Sequence, residues 1–171
     1  TLTPATTTTR VDNVIGGPAG SGGIVTFNTA AGGVDQQSGF LRSSGVRLLG
    51  TGDFTLNQPT NNTTTLPANV TGDVTFREEG LVSVGSVSGT SGIRTRGGDL
   101  AITTNNGNLT VNNEIDTRTT PGSGTTATAG NIDLTVNAPA SGDLVLNANV
   151  TGNIVSFVVP SRTSQAVLRV L

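Results

Sequence analysis

A five-residue pattern recurs along most of this 171-residue chain. It consists of Gly, then Asp or Asn, then an apolar residue, any residue and a second apolar residue. Glycine adopts the positive φ of a tight corner and Asp or Asn can bond its own backbone there, so the first two positions predict a turn. The alternating apolar residues predict a short strand with one buried face. The seven copies span residues 52–56, 72–76, 98–102, 107–111, 130–134, 142–146 and 152–156, the last with Ser156 at its final position.

The spacing of these turns predicts a solenoid. Taken at the Asp or Asn of the main copies, positions 53, 73, 99, 131 and 153, the intervals are 20, 26, 32 and 22 residues. A unit of about 20 residues with two or three short strands is typical of a parallel β-helix, whose coils stack about 4.8 Å apart. The copies at 108 and 143 are predicted to open a second strand within a coil. The polar stretch 121–126 is predicted to bulge outward from a corner.

We therefore predict an all-β chain folded as a parallel β-helix with coils of about 20 residues. An antiparallel β-sandwich is the alternative, because strands spaced about 8 to 12 residues apart with Gly and Asn turns also fit that fold. The recurrence of one corner motif favours the β-helix. One continuous core is predicted from the alternate motif residues, namely Phe54, Leu56, Val74, Phe76, Leu100, Ile102, Ile132, Leu134, Leu144 and Leu146.

One longer phrase occurs twice, LPANVTGDV at 66–74 and LNANVTGNI at 146–154. Its repetition predicts that Asn69 and Asn149 occupy equivalent positions on stacked coils. Two interpretations stay open for this pair. The side chains point inward and form a hydrogen-bonded ladder, as stacked Asn does in cross-β structure, or both are ordinary surface turn residues.

Four segments are predicted along the chain. Residues 1–10 form a Thr-rich extended tail, 11–50 the irregular first coils, 51–157 the regular β-helix coils, and 158–171 a terminal strand, cap or assembly segment. Within the first coils, 23–27 and 45–49 are predicted strands and 30–38 a predicted loop. Because residue 1 is not Met and no apolar signal-peptide core follows it, we expect a processed chain or a piece of a longer one.

The composition excludes several chemistries. Cys and His are absent, so zinc sites with thiolate or imidazole ligands, thiol nucleophiles and Ser-His-Asp triads cannot be built. A net charge of -2 without a dense Arg cluster argues against a nucleic-acid partner. No apolar run approaches the roughly 20 residues of a membrane span. The 12% of charged residues and the wealth of Thr, Asn and Gly favour an extracellular or cell-surface protein.

Parallel β-helices also carry polysaccharide-degrading enzymes, whose sites need clustered carboxylates or Ca²⁺. The candidate groups are Asp73 with Glu78 and Glu79, Asp99 near Arg94 and Arg96, and Glu114 with Asp116. Asp and Asn alternate at the motif position, which suits a turn and not a general acid, and Glu78 with Glu79 is interpreted as a solvated corner. The Gly97-Gly98-Asp99 stretch lacks the repeat period of a calcium-binding β-roll. We therefore predict no catalytic residue, no metal and no cofactor.

The stretch GDLAITTNNGNL at 98–109 resembles the repeats of filamentous-haemagglutinin-type exoproteins, especially those of cyanobacteria. The resemblance covers roughly residues 50–157 and is one of repeat grammar. It implies a right-handed parallel β-helix that bacteria secrete by a two-partner route and use as an adhesin or surface fibre.

The predicted function is that of a non-catalytic, extracellular, fibre-forming protein that self-assembles on the cell surface. Its expected partners are copies of itself in a head-to-tail filament, because a β-helix leaves unpaired backbone groups at both ends. An adhesin for a surface carbohydrate or protein and a polysaccharide-degrading enzyme are the alternatives. Four of the five phenylalanines, Phe27, Phe54, Phe76 and Phe157, are predicted core residues. The predicted assembly residues are Leu2, Val167, Leu168, Val170 and Leu171.

Overall fold

A computed structural model shows a parallel β-solenoid of about six coils. It describes residues 9–11, 15–16, 23–124, 128–138 and 142–159. These residues contain no helix. The strands, in chain order, are β1 Thr9–Val11, β2 Ile15–Gly16, β3 Ile24–Thr29, β4 Val34–Gln36, β5 Leu41–Ser43, β6 Gly45–Thr51, β7 Phe54–Leu56, β8 Asn62–Thr63, β9 Ala68–Thr71, β10 Val74–Glu78, β11 Val82–Val84, β12 Ser86–Val87, β13 Thr90–Ser91, β14 Ile93–Arg94, β15 Leu100–Thr104, β16 Leu109–Val111, β17 Ile115–Asp116, β18 Ile132–Val136, β19 Leu144–Leu146, β20 Val150–Thr151 and β21 Val155–Val158.

The coils have three faces. Sheet I contains β1, β4, β7, β10, β15, β18 and β21, and sheet III contains β3, β6, β9, β14, β17 and β20. The second face is divided into sheet IIa, with β2, β5 and β8, and sheet IIb, with β11, β16 and β19. Coils 1 to 6 begin at β1, β4, β7, β10, β15 and β18, and β21 begins a seventh. Strands within all these sheets pair in parallel, whereas β12 and β13 form a small antiparallel hairpin on coil 4. The β-helix prediction is confirmed.

The register of sheet I confirms three of the predicted intervals. Phe54 pairs with Val74, Val74 with Leu100, and Leu100 with Ile132, which gives 20, 26 and 32 residues. The copies at 108 and 143 open β16 and β19, whose first residues pair with each other. The extra length of the 32-residue interval lies in residues 117–131, an excursion between β17 and β18. Solenoid corners therefore absorb length without disturbing the stack.

The predicted core is buried in full. All ten motif residues named above lie inside one hydrophobic cluster, from Phe54 to Leu146. Phe27 is buried in the same cluster, with relative accessibility 0%. The alternation of each strand places these side chains inside, because successive residues of a strand point to opposite faces.

The Gly of each corner allows close contact between coils. A Cβ on Gly98 would lie 2.1 Å from the carbonyl oxygen of Gly72, and a Cβ on Gly130 would lie 2.0 Å from that of Gly98. No side chain fits at such a distance. Stacking of backbone on backbone therefore explains why the motif begins with Gly.

The Asp or Asn that follows each Gly forms a ladder along the solenoid, which we call the corner ladder. Asp53 Oδ1 accepts the backbone N–H of Asp73 at 2.9 Å, and Asp73 Oδ1 accepts that of Asp99 at 2.8 Å. Asp99 Oδ1 accepts the N–H of Asn131 at 2.7 Å, and Asn153 Nδ2 donates to Asn131 Oδ1 at 3.1 Å. The motif residue thus bonds the next coil, in addition to supporting its own turn.

The repeated phrase does not occupy equivalent positions, so that prediction is wrong. In sheet III, Asn69 is in register with Arg94, Arg94 with Asp116, and Asp116 with Thr151. The residue of the last coil that stacks in line with Asn69 is therefore Thr151, and Asn149 lies two residues before it. Both Asn69 and Asn149 are exposed, so they form no inward ladder. The polar ladder of this fold lies at the motif corners instead.

Two further expectations are corrected. Residues 34–36, within the predicted loop 30–38, form β4 and pair with β1 and β7.

The last copy of the motif is displaced by one residue. Val155, and not Ile154, pairs with Ile132, so the interval between these two strands is 23 residues instead of the predicted 22. Ile154 is 62% exposed. Ile154 takes the corner position instead, where its carbonyl accepts the N–H of Ile132 at 2.7 Å. One extra residue at this corner shifts the strand by one position and reverses its inward and outward residues.

Candidate assembly surface

The last described coil presents core-type residues at the surface. Phe157 is 38% exposed and Val158 is 51% exposed, whereas Leu134, the partner of Phe157 in the preceding strand, is fully buried. The prediction that Phe157 is a core residue is therefore wrong in this coil. Its register places it above the core, and no described strand follows β21 to cover it.

A groove of about 370 Å³ opens at this end of the solenoid. Its walls come from three sheets, because each contributes the residues that would face the next coil. The apolar lining is Leu146 from β19, Val150 from β20, Val155 and Phe157 from β21, and Ala148 between β19 and β20. The groove is thus a cross-section of the core, with Asn149 and Thr151 at its polar side.

Both ends of the described solenoid present strand edges of the same sheets. Within the described residues, β1 and β21 are the outer strands of sheet I, and β3 and β20 are those of sheet III. An outer strand carries backbone N–H and C=O groups that can pair with a further strand. Because all these strands run in parallel, the two ends differ and are suited to joining one to the other.

The predicted assembly residues cannot be placed. Leu2 and the C-terminal Val167, Leu168, Val170 and Leu171 lie outside the described residues. The surface at β21 was not predicted as exposed. The polar final position of the last motif copy, Ser156, was a signal only for the shifted phase of β21, because it breaks the alternation seen in the other copies.

The acidic residues around β10 are not brought together. Asp73 belongs to the corner ladder, and Glu79 is exposed. Glu78 is only 1% exposed, so its interpretation as part of a solvated corner is wrong. It continues the inward alternation of Val74 and Phe76 in β10, and this period of two was the sequence signal for its burial.

The Glu78 carboxyl is held by backbone donors. Oε2 accepts the N–H of Thr63 at 2.9 Å, and Oε1 accepts that of Gly80 at 3.3 Å. Burial raises the pKa of Glu78 to about 8, against the opposing effect of these hydrogen bonds. A carboxyl enclosed in this way has no open approach for a substrate.

A buried amide pair lies in the two preceding coils. Gln36 Nε2 donates to Asn61 Oδ1 at 2.9 Å, and Asn61 Nδ2 donates to Gln36 Oε1 at 3.0 Å. Asn61 Oδ1 also accepts the N–H of Leu41 at 2.8 Å, and Asn61 Nδ2 reaches the carbonyl of Arg77 at 3.1 Å. The two amides thus link coils 2, 3 and 4 from inside. Sequence reasoning missed this pair.

The remaining candidates, Arg94, Arg96, Asp99 and Glu114, make structural contacts. Arg94 binds Glu114 at 3.1 Å, and Arg96 donates to the carbonyl of Val70 at 3.3 Å, so neither is turned toward Asp99 by these contacts. Asp99 serves the corner ladder. Glu114 and Asp116 stay close in space, but each is paired with an arginine, Glu114 with Arg94 and Asp116 with Arg118.

Asp116 anchors the excursion 117–131. Arg118 Nη2 binds Asp116 Oδ2 at 2.7 Å, Gly122 N donates to the same oxygen at 2.9 Å, and Asp116 is fully buried. Burial acts to raise the pKa of Asp116, but the hydrogen bonds from Arg118 and Gly122 outweigh it and the pKa is lowered to about 2. The excursion is thus pinned to the outer face of sheet III by a charged hydrogen-bond network.

Two observations bear on the alternative functions, which are a polysaccharide-degrading enzyme and an adhesin for a surface carbohydrate or protein. The described residues hold no group of three or more side chains of the metal-binding types. The half-exposed Phe40 ring is covered by the Arg42 guanidinium, 4.3 Å from the ring centroid. This ring face is therefore taken by a cation–π contact and is not open for stacking on a sugar.

The fold defines this chain as an all-β parallel β-solenoid protein. Comparison with known protein families, curated proteins and solved structures gives no match. In the described part of the chain, no helix is long and apolar enough to span a membrane. The resemblance to filamentous-haemagglutinin-type repeats stays a prediction.

Proposed function

We propose that this chain is a non-catalytic structural protein of the cell surface that assembles end to end into fibres. The observation that supports this most directly is the apolar groove at β21, which presents the core of the solenoid in cross-section. Exposed apolar surface next to an open strand edge favours association with another strand.

The two ends of the solenoid favour a linear assembly over a closed dimer. The outer strands β21 and β1 belong to one sheet and run in parallel, so the end of one copy can continue sheet I of the next. Such a contact joins two different surfaces, and it propagates as a filament when the rotation between copies does not close a ring. Backbone pairing supplies affinity, and the groove supplies the apolar contact.

The extracellular setting rests on composition and on the resemblance of the repeats. The chain has only 12% charged residues and no Cys, and it is rich in Thr and Asn. These properties are typical of bacterial surface proteins of repetitive sequence. The fold itself is used by both structural proteins and enzymes.

Electron microscopy and sedimentation velocity of the purified chain test this function. We expect filaments whose abundance rises with concentration. Phe157→Asp places a charge in the groove and should abolish them, whereas Thr55→Asp, on the exposed outer face of β7, should assemble like the wild type. A monodisperse wild-type monomer at every concentration would overturn the proposal, and so would equal loss of filaments in both variants.

A further inference from the structure

The second face of the solenoid is interrupted between coils 3 and 4. Sheet IIa ends at β8 and sheet IIb begins at β11, and the isolated bridge between Thr65 and Ser83 connects them. On sheet I, the same junction has three register pairs, between β7 and β10. On sheet III, it has two, between β9 and β14. The sheet I ladder is thus shorter than the five pairs that join β10 to β15, and the sheet III ladder equals the two pairs that join β14 to β17.

The interior at this junction is polar. Glu78 of coil 4 reaches the Thr63 N–H of coil 3 through Oε2. The Asn61 carbonyl accepts the N–H of Glu79 at 2.8 Å, and Asn61 Nδ2 reaches the carbonyl of Arg77. Hydrogen bonds from buried polar groups therefore connect the two coils where the strand ladder is short. We call the segment 57–65 of coil 3 the junction corner.

The buried carboxyl has no counter-charge in the described part of the chain, where the ion pairs are those of Arg94 and Arg118. Coil 3 presents the uncharged Asn61 and Thr63 at this corner, and coil 5 presents Thr104, the register partner of Glu78. The neighbouring Arg77 turns to Asn105 Oδ1 at 3.1 Å. Glu79 is an exposed carboxylate whose charge also opposes ionisation of Glu78.

We propose that Glu78 is a proton-dependent latch that closes the junction corner onto coil 4 when its carboxyl is protonated and releases it when the proton is lost. A buried ion without a partner is strongly disfavoured, whereas in an open corner water solvates the carboxylate. The junction corner is therefore a place where this solenoid responds to pH.

The direction of the response follows from linkage. In the closed form the pKa of Glu78 is raised to about 8, and in an open, hydrated corner it returns toward 4.5. Between these values the open form has lost the proton and the closed form retains it. The equilibrium constant for opening the junction corner therefore rises roughly tenfold per pH unit between about pH 4.5 and about pH 8. Above about pH 8 it levels off.

Hydrogen exchange resolved at single amides tests the latch. The reporters are the N–H groups of Thr63 and Leu41, which bond Glu78 and Asn61, and the control is the N–H of Leu100, bonded to the Asn131 carbonyl in coil 5. After correction for intrinsic exchange, we expect the protection of Thr63 and Leu41 to fall roughly tenfold per pH unit from about pH 5 to about pH 8. Protection at Leu100 should stay constant.

Matched variants isolate the carboxyl. Glu78→Gln should remove the pH dependence at Thr63 and Leu41, and Glu79→Gln, at the exposed neighbour, should retain it. A wild-type slope that persists in Glu78→Gln overturns the latch. If Glu78→Gln does not fold, carbon-13 titration of the Glu78 carboxyl in the wild type decides. A midpoint near 8 supports the latch and one near 4.5 overturns it.

Discussion

Asp73 Oδ1 accepts the backbone N–H of Asp99 at 2.8 Å, across 26 residues of sequence and one step of the coil stack. The same bond joins Asp53 to Asp73 and Asp99 to Asn131. The amide oxygen of Asn and a carboxylate oxygen of Asp can both accept this hydrogen bond with the same geometry. The ladder therefore explains why Asp and Asn exchange at the second position of the motif.

The ladder predicts the effect of substitutions at Asp73. Asp73→Ala removes the acceptor for the Asp99 N–H and should lower the free energy of unfolding by about 1 kcal/mol. Asp73→Asn keeps an acceptor oxygen and should stay within about 0.5 kcal/mol of the wild type. Urea unfolding followed by circular dichroism measures both. Equal losses in the two variants would show that charge, and not the hydrogen bond, matters at this corner.

The stacked glycines predict intolerance at Gly98. A Cβ there would meet the Gly72 carbonyl oxygen at 2.1 Å, and backbone on both coils would have to move. We expect Gly98→Ala to destabilise the fold by about 2 to 3 kcal/mol. Gly124→Ala is the control, because a Cβ at Gly124 has nothing within 4 Å, and its unfolding midpoint should be nearly unchanged. A wild-type midpoint for Gly98→Ala would contradict the close-contact explanation.

The phase of β10 predicts opposite sensitivities at adjacent residues. Phe76 is buried, and Phe76→Ala should reduce the free energy of unfolding by about 3 to 5 kcal/mol because it leaves a cavity. Thr75 lies on the outer face, and Thr75→Ala should change it by less than about 0.5 kcal/mol. Thermal and urea unfolding of the two variants give the comparison. Similar losses at both positions would mean that the strand phase is wrong.

The anchor of the excursion predicts acid sensitivity. The pKa of Asp116 is about 2 in the fold and 3.8 ordinarily, so its contribution to stability is present above 3.8 and is lost as the pH falls to about 2. The loss should amount to about 1 to 2 kcal/mol. It is measured as the stability difference between wild type and Asp116→Asn, which should shrink over that range. Asp133→Asn, at an exposed position on sheet I, should show no such change.

Parts of the candidate site were accessible from sequence and parts were not. The strand of the last motif copy was predicted, but the phase of its residues was not, because one extra corner residue moved Val155 into register with Ile132. Phe157 was expected in the core, and its exposure depends on which strand follows β21. A local pattern contains no information on what covers an end.

The sequence by itself determined the kind of fold and most of its spacing. Gly followed by Asp or Asn places a turn, and the alternation after it decides which side chains face inward, and both are local properties of the chain. The tertiary structure alone decided which residues stack on which. The phrase at 146–154 repeats that at 66–74 but lies two residues out of step at Asn149, and the buried Glu78 carboxyl accepts a hydrogen bond from Thr63 of the preceding coil. Register between coils depends on the length absorbed at every intervening corner, and a hydrogen-bond partner on another coil depends on that register, so neither can be derived from a local pattern.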